Sequence, residues 1–222
     1  MPEIASILDA AKHWTAHYRR GHLIYGEGDL TTGIYRVDKG CVRLQVDSAD
    51  GDRQIVAFLF PGDVFGMSVD LRTSSAEAVS DVDLTRYSLP SVLELATRST
   101  SVLLQVMRAA DTVYGELAHH TEQITHLPAT ERVLWFLDRL AGREGVQPGE
   151  PVRLPMSRRD VSDYLGLTPE TLSRIMRQLQ DDGHLSAVGR KSFTLRRPTF
   201  RVGPVDDPQL DPLSLPSEQL CA

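Results

Sequence analysis

Five polar side chains recur on one face of residues 157–180, and their types suit hydrogen bonding to the edges of DNA bases. They are Glu170, Thr171, Ser173, Arg174 and Arg177. A guanidinium can donate two hydrogen bonds to guanine, a carboxylate can accept one from the amino group of cytosine, and a hydroxyl can do either. Apolar residues alternate with these polar ones at helical spacing, so the pattern predicts a helix that packs on one face and presents the other to a DNA groove.

The same stretch carries the signals of two short helices joined by a tight turn. Ser157 and Asp160 have the spacing of a capping box, and Gly166 suits the turn between the helices. Thr168 then caps the second helix, and Pro169 fits the first turn of that helix, where no N–H is needed. The apolar residues expected to share one core are Val161, Leu165, Leu167, Leu172, Ile175, Met176 and Leu179.

Charge is distributed unevenly along the chain. The 222 residues carry a net charge of -6, yet residues 153–201 contain ten basic and five acidic residues, a local charge of +5 that leaves -11 for the remainder. Attraction to phosphate depends on the face that meets the duplex, so the local excess is what counts. The alternative for residues 157–180, a helical hairpin with a merely solvated polar face, does not account for this excess.

The first half of the chain has the pattern of a β-roll. Short β-rich segments separated by turns predict strands at residues 22–25, 33–37, 42–46, 54–60 and 83–87, with a hairpin at Asp50-Gly51. Such a series is typical of a β-sandwich or jelly-roll barrel. Residues 4–14, before these strands, form a helical candidate.

A long helix is predicted after Pro90. Its apolar residues lie three and four apart, which is typical of a helix that packs along a partner, most simply a second copy of the chain. The alternative is a helix lying on the chain's own β-roll. The residues predicted to form the dimer contact are Leu103, Val106, Ala110, Val113, Leu117, His120 and Ile124.

These elements predict an α+β fold with an N-terminal jelly-roll β-barrel, a long dimerisation helix and a C-terminal winged helix-turn-helix. The predicted boundaries are 1–97 for the regulatory roll, 98–127 for the dimerisation helix, 128–201 for the DNA-binding domain and 202–222 for a flexible, proline-rich tail. A helix at 129–140 precedes the helix-turn-helix, and strands at 184–188 and 192–196 form the wing.

Composition narrows the class of protein. Two distant cysteines, no secretory segment and no run that could span a bilayer lead us to expect a cytoplasmic protein without a membrane partner. No Ser/His/Asp or Cys/His set is placed for catalysis, and the roll lacks the ligands of a metal-dependent enzyme. We therefore expect a protein that is not an enzyme.

Residues 18–200 resemble the CRP/FNR family of bacterial transcription regulators. The resemblance rests on residues 33–44 (GIYRVDKGCVRL), 61–66 (PGDVFG) and, most specifically, 154–174. Glu170, Ser173 and Arg174 match the Glu-x-x-Ser-Arg of the FNR and FixK branch, whereas Pro169 stands where the cyclic-AMP receptor branch has an arginine. The roll is therefore expected to be similar to a cyclic-nucleotide-binding domain.

The resemblance implies double-stranded DNA carrying a TTGA-type inverted repeat, RNA polymerase and a second copy of the chain as partners. It also implies a role in responses to low oxygen, nitrogen oxides or nitrogen metabolism. Glu170, Ser173 and Arg174 would read bases. The residues expected to contact phosphates or the DNA backbone are Ser157, Arg158, Thr168, Thr171, Arg177, Arg190 and Lys191.

The sequence predicts neither a cofactor nor a metal. Cyclic-nucleotide binders of the family carry Gly-Glu after the phenylalanine and a later Arg-Ser pair, but here Phe65 precedes Gly-Met, and only Arg72 lies near the second motif. An iron–sulfur cluster needs about four thiolates, and the chain has Cys41 and Cys221 alone. The alternative is an effector-gated sensor that binds a small molecule or haem in the roll. The histidines that could bind haem or a metal form two groups, one on or just past the long helix and one near the N-terminus: His119, His120 and His126, and His13, His17 and His22.

Overall fold

Eight strands in two antiparallel sheets form the N-terminal part of a computed structural model that describes residues 8–47, 53–147, 149–187 and 192–195. They are β1 (His13–Tyr18), β2 (Leu23–Tyr25), β3 (Gly33–Lys39), β4 (Val42–Asp47), β5 (Arg53–Leu59), β6 (Val64–Phe65), β7 (Ser75–Ala78) and β8 (Val82–Ser88). One sheet has the order β1-β8-β3-β6 and the other the order β2-β7-β4-β5. The pairing of β4 with β5 agrees with the predicted hairpin, although its turn at Asp50-Gly51 lies outside the described residues.

Alternation of side chains along the strands builds the core of this roll. Successive residues of a strand point to opposite faces of the sheet, so in β8 the side chains of Val82 and Leu84 are buried inside the roll, and Tyr87, at an odd spacing from both, is buried on the other face of that sheet. Gly40 makes the tight connection between β3 and β4 with φ of 88°. A Cβ at that position would lie 2.3 Å from the carbonyl oxygen of Asp81, so only glycine fits there.

Five helices follow the roll: α1 (Leu89–Arg98), α2 (Thr100–His126), α3 (Ala129–Arg143), α4 (Arg158–Leu165) and α5 (Pro169–Asp181). Three short strands, β9 (Pro151–Arg153), β10 (Leu185–Ala187) and β11 (Ser192–Leu195), form a sheet of order β10-β11-β9 beside them. No helix within the described ranges is long and apolar enough to cross a membrane. The predicted α+β class and order of elements are confirmed.

The largest error of prediction concerns the N-terminus. Of the helix expected at residues 4–14, residues 4–7 lie outside the described residues and Leu8 is helical, but the prediction is wrong for its end, because His13 and Trp14 begin β1, which pairs with β8 from His13 opposite Tyr87. Most side chains of β1 are exposed, so the strand lacks the apolar alternation that would indicate it. β6 and β7 were also missed, because strands of two and four residues carry too little pattern. The wing tip and the tail at 202–222 lie outside the described residues.

Candidate nucleic-acid interface

Local hydrogen bonds fix both helices of the helix-turn-helix. The Ser157 hydroxyl accepts from the Asp160 amide at 3.1 Å, and the Asp160 carboxylate accepts from the Ser157 amide at 3.0 Å, which is the predicted capping box. Gly166 ends α4 with φ of 62° in the left-handed region. The Thr168 hydroxyl accepts from the Thr171 amide at 3.1 Å and so begins α5. These bonds form between near neighbours, so they set the two helices independently of the rest of the fold.

The two faces of α5 are separated as its sequence predicts. Its apolar residues are buried with those of α4, except that Leu167 in the turn is only partly buried; the buried set is Val161, Leu165, Leu172, Ile175, Met176 and Leu179. Glu170, Ser173, Arg174 and Arg177 are exposed, and Thr171 is half-buried. Within the part of the chain that the structure describes, the four exposed side chains make no hydrogen bond or ion pair. They are therefore free to meet DNA.

The residues expected to contact phosphates differ in their exposure and in the hydrogen bonds that they already make. Arg158 is exposed in the first turn of α4, and Thr168 is exposed at the start of α5. The Ser157 hydroxyl, by contrast, donates to the Asp160 carboxylate at 2.7 Å, so its proton is already used. Arg190 and Lys191 lie outside the described residues. Arg159, which the sequence pattern did not single out, is also exposed, and it lines a cleft of about 490 Å³ between the roll and α4.

A group of four charges joins the roll to α4, and we call it the interdomain clamp: Arg43, Arg53, Asp160 and Asp163. Arg43 reaches Asp160 at 2.8 Å, Arg53 reaches Asp160 at 2.9 Å, and Arg53 also pairs with Asp163. The side-chain amide of Gln54 adds a hydrogen bond to the Asp163 carbonyl at 3.0 Å. The residues paired here are more than 100 positions apart, so no sequence pattern indicated the clamp.

The clamp keeps Asp160 ionised. Burial by itself raises the pKa of the Asp160 carboxyl, but the two hydrogen bonds from Ser157 and the positive charges of Arg43 and Arg53 outweigh it and lower the pKa below its usual value. The carboxylate therefore serves twice, as part of the cap of α4 and as the partner of two arginines from the roll.

An aromatic cluster forms a second connection between the domains. Tyr164 of α4 stacks on His120 of α2 with ring centroids 3.9 Å apart, and Phe58 of the roll and Phe136 of α3 pack against Tyr164 at 5.2 Å and 5.7 Å. The ring of Trp135 stacks on His120 and on Tyr164. The members of the cluster come from four different elements, so the cluster packs α2, α3, α4 and β5 against one another.

His120 does not lie where the heptad pattern put it. It was expected on the dimer contact, but it is buried inside its own chain, where its Nε2 hydrogen-bonds the Tyr164 carbonyl at 3.0 Å. Ile124 is partly buried near Gly166. The helix-turn-helix packs on the last turns of α2, and this packing takes both residues out of the free stripe.

The rest of the predicted stripe remains uncovered. Leu103, Ala110, Val113 and Leu117 are exposed, whereas Val106 is partly buried against the core of the roll. Further apolar side chains extend the exposed surface of α2: Leu104, Met107 and Tyr114. Large apolar patches on a folded chain mark sites of interaction.

Acid is expected to weaken the cluster through His120. Burial lowers the pKa of His120 to about 4, and the charges of Arg139 and His119 act in the same direction. The unfolded chain binds this proton more readily, with a pKa near 6.5, so the stability contribution is complete above that pH and is lost as the pH falls towards 4. Urea titrations at pH 7.5 and 5.5 should show a lower free energy of unfolding at pH 5.5. His120→Phe should reduce this difference and His126→Gln should not; equal pH dependence of all three proteins would contradict the assignment.

Arg72, the possible cation for a cyclic nucleotide, is committed inside the roll. Its side chain is 3% exposed and donates to the backbone carbonyls of Gly33 and Gly66, each at 2.5 Å. The guanidinium lies over the rings of Tyr25 and Tyr35, at 4.2 Å and 5.6 Å from their centroids. Both terminal nitrogens of the guanidinium thus donate to the backbone and its face lies against aromatic rings, while its Nε has no hydrogen-bond partner among the described residues.

The thiol and histidine candidates have ordinary surroundings. Cys41 is buried and burial raises its pKa, so the thiolate is disfavoured. His119 is half-buried beside Glu122, and His126 is exposed at the end of α2. Among the described residues, no three side chains of His, Cys, Asp or Glu come together in a group that could hold a metal ion.

Comparison with known proteins agrees with this architecture. Residues 15–99 match the cyclic nucleotide-binding domain, and residues 131–199 match the Crp-like helix-turn-helix domain. The chain is 34% identical to the nitrogen fixation regulation protein FixK of Rhizobium meliloti over 184 residues, which is 82% of this chain and 83% of that one. It is 37% identical to the FixK of Azorhizobium caulinodans over 194 residues, covering 84% and 77% of the two chains.

A solved structure supports the same assignment. The structure of FixK2 from Bradyrhizobium japonicum superposes with a TM-score of 0.80 at 34% identity, covering 84% of this chain and 94% of that one. The resemblance seen in the sequence is thereby confirmed, and α5 belongs to a Crp-like helix-turn-helix domain. The chain is a transcription regulator of the CRP/FNR family, of the FixK/FNR-like kind.

Proposed function

We propose that the chain acts as a homodimer that binds a TTGA-type inverted repeat in promoter DNA and contacts RNA polymerase there. The observation that carries the proposal is the exposed face formed by Glu170, Ser173 and Arg174 on α5, which has no partner among the described residues. Arg174 donates to guanine, Glu170 accepts from cytosine, and Ser173 contacts the neighbouring thymine. Arg158, Thr171 and Arg177, together with the wing-tip residues Arg190 and Lys191, hold the phosphates and set the register.

The dimer brings two reading helices to one palindrome. The exposed stripe of α2 supports it, because leucines, a methionine and a tyrosine on one helix face bury well against a copy of themselves. Twofold symmetry then places the two α5 helices about one turn of DNA apart. The contact with RNA polymerase and a role in oxygen or nitrogen responses follow from the family, and the names of the FixK relatives fit that role.

Leu117→Glu is expected to break the dimer. The substitution puts a carboxylate from each copy into the proposed contact, where burying two like charges is costly. Sedimentation should show a dimer for the wild-type chain and a monomer for the variant. Glu122→Gln changes an exposed residue of the same helix and should leave the dimer intact. A dimeric Leu117→Glu variant would show that α2 does not form the contact.

We further propose that the regulator binds DNA without an effector, because both terminal nitrogens of Arg72 already donate to backbone carbonyls and its guanidinium lies against aromatic rings. A gel shift on a TTGA inverted repeat and on a scrambled duplex tests both parts. The purified chain should shift the repeat alone, with no further gain from added metabolite extract. A shift that appears only with extract would favour a sensor, and haem would be visible in the absorption spectrum. No shift in either case would refute the proposed function.

A further inference from the structure

The interdomain clamp removes four charges from water at the junction of the roll and the DNA-binding domain. The side chain of Asp160 is 8% exposed, that of Arg43 13% and that of Arg53 23%. Pairs shielded in this way are screened less by salt than surface pairs. Buried ion pairs add little net stability compared with apolar packing, and their best-attested use is to select one arrangement among several. The clamp is thus suited to fixing an orientation.

Arg43 is itself held in place before it reaches α4. It pairs with Glu77 of β7 at 2.8 Å and donates from Nε to the Gln45 side chain at 2.9 Å. Its guanidinium is therefore oriented by the roll and presents its remaining nitrogen to Asp160. An arginine that is already ordered loses less side-chain entropy when it binds its partner.

The clamp holds the DNA-binding domain without covering its reading face. Asp160 and Asp163 are three residues apart on α4, so both point towards the roll. Glu170 and Arg174 on α5 are exposed in the same arrangement. The ion pairs of the clamp are thus compatible with DNA binding. A contact that blocked recognition would instead have to cover the exposed face of α5.

We propose that Arg43 and Arg53 are positioning residues for DNA recognition, which lock each DNA-binding domain to its own roll at the angle that two half-sites require. This inference rests on the proposed dimer and palindrome. When the α5 helix of one copy is bound, the α5 helix of the other copy meets the second half-site at an effective local concentration. The range of orientations open to its DNA-binding domain sets that concentration. Opening the clamp enlarges that range and lowers the effective concentration. The aromatic cluster around Tyr164 still holds the domain and limits the loss.

Arg53→Gln tests this role because it removes the charge that reaches both aspartates. Affinity for the palindrome should fall about tenfold, affinity for a duplex with one half-site should stay unchanged, and insertion of a base pair at the centre should cost less than in the wild type. Arg36→Gln is the matched control. Arg36 also pairs with two aspartates and is 21% exposed, but its partners Asp9 and Asp38 lie outside the DNA-binding domain.

Exchanging the charges at positions 53 and 163 provides a rescue experiment for the spacing preference. Arg53→Asp alone should lose the dependence on spacing, and the double variant Arg53→Asp/Asp163→Arg should regain part of it, because the pair with position 163 re-forms in reverse while the pair with Asp160 does not. Unchanged palindrome affinity and spacing preference in Arg53→Gln would overturn the proposal. An equal loss on the palindrome and on the single half-site would overturn it as well, since that result indicates damage to the helix-turn-helix itself.

Failure of the proposed function can be told apart from failure of the clamp. If the wild-type chain does not bind the TTGA palindrome, the proposed site is wrong, and the spacing series is repeated on the sequence recovered from a random DNA pool. A double-mutant cycle of Arg53→Gln and Asp163→Asn, followed by urea unfolding without DNA, measures the coupling of the two residues directly. Zero coupling would overturn the clamp whatever the DNA result.

Discussion

Arg174→Ala should lower the affinity of the regulator for a TTGA palindrome by about 1–3 kcal/mol and relax discrimination at the guanine position. Arg174 is exposed on α5, and its guanidinium has no partner among the described residues, so its two parallel donors are available to guanine. Fluorescence anisotropy at one fixed salt concentration should show the loss on the palindrome. On a duplex in which the guanine is replaced, wild type and variant should bind alike.

Arg177→Ala is the control for Arg174→Ala. It removes the same charge from the same exposed face one turn later, where we expect a phosphate contact. Its loss should be similar on specific and scrambled duplexes, and the slope of log affinity against log salt should fall by about one. Equal losses for Arg174→Ala on specific and scrambled DNA would show that Arg174 is another phosphate contact and does not read a base.

Tyr164→Ala should lower the free energy of unfolding by about 3–5 kcal/mol, the usual cost of deleting a large aromatic side chain from a core. Tyr164 is buried among His120, Phe58 and Phe136, which belong to α2, β5 and α3. The cavity would open where these elements meet, so the DNA-binding domain should also lose its attachment to the roll. Urea denaturation followed by circular dichroism gives the change.

Tyr164→Phe separates packing from the hydroxyl. The ring and its stacking on His120 stay in place, so we expect a loss below about 1 kcal/mol. A loss for Tyr164→Ala no larger than that of Tyr164→Phe would contradict the central place of this ring. A second, earlier unfolding transition in Tyr164→Ala would show that the roll and the DNA-binding domain have become uncoupled.

The helix-turn-helix was predictable from sequence because its determining contacts are local. Ser157 with Asp160 and Thr168 with Thr171 form their bonds within one turn, so residue type and spacing suffice to specify them. The separation of buried and exposed faces on α5 follows from helical geometry alone. The candidate base-reading residues were identified for the same reason, with the family motif adding the order of the bases.

The strands of the N-terminal roll were predicted only in part from local sequence pattern. Strands such as β3, β5 and β8 carry enough apolar residues to be recognised, whereas β1 is almost fully exposed and β6 has two residues. These elements exist because β8 and β3 offer them backbone partners. A strand that joins the edge of a sheet through backbone hydrogen bonds needs no particular side-chain pattern, so its sequence gives little indication of it.

The sequence predicted the role of a residue wherever that role depends on near neighbours in the chain. The remaining roles depended on contacts that form only in the folded structure. The heptad pattern of α2 correctly marked an apolar stripe, but it could not tell that Tyr164, 44 residues away, would take His120 out of it. Arg53 and Asp163 carry no motif, and they meet only because β5 and α4 pack together. Long-range contacts of this kind follow from how separate elements fill space, which residue types and spacing leave open.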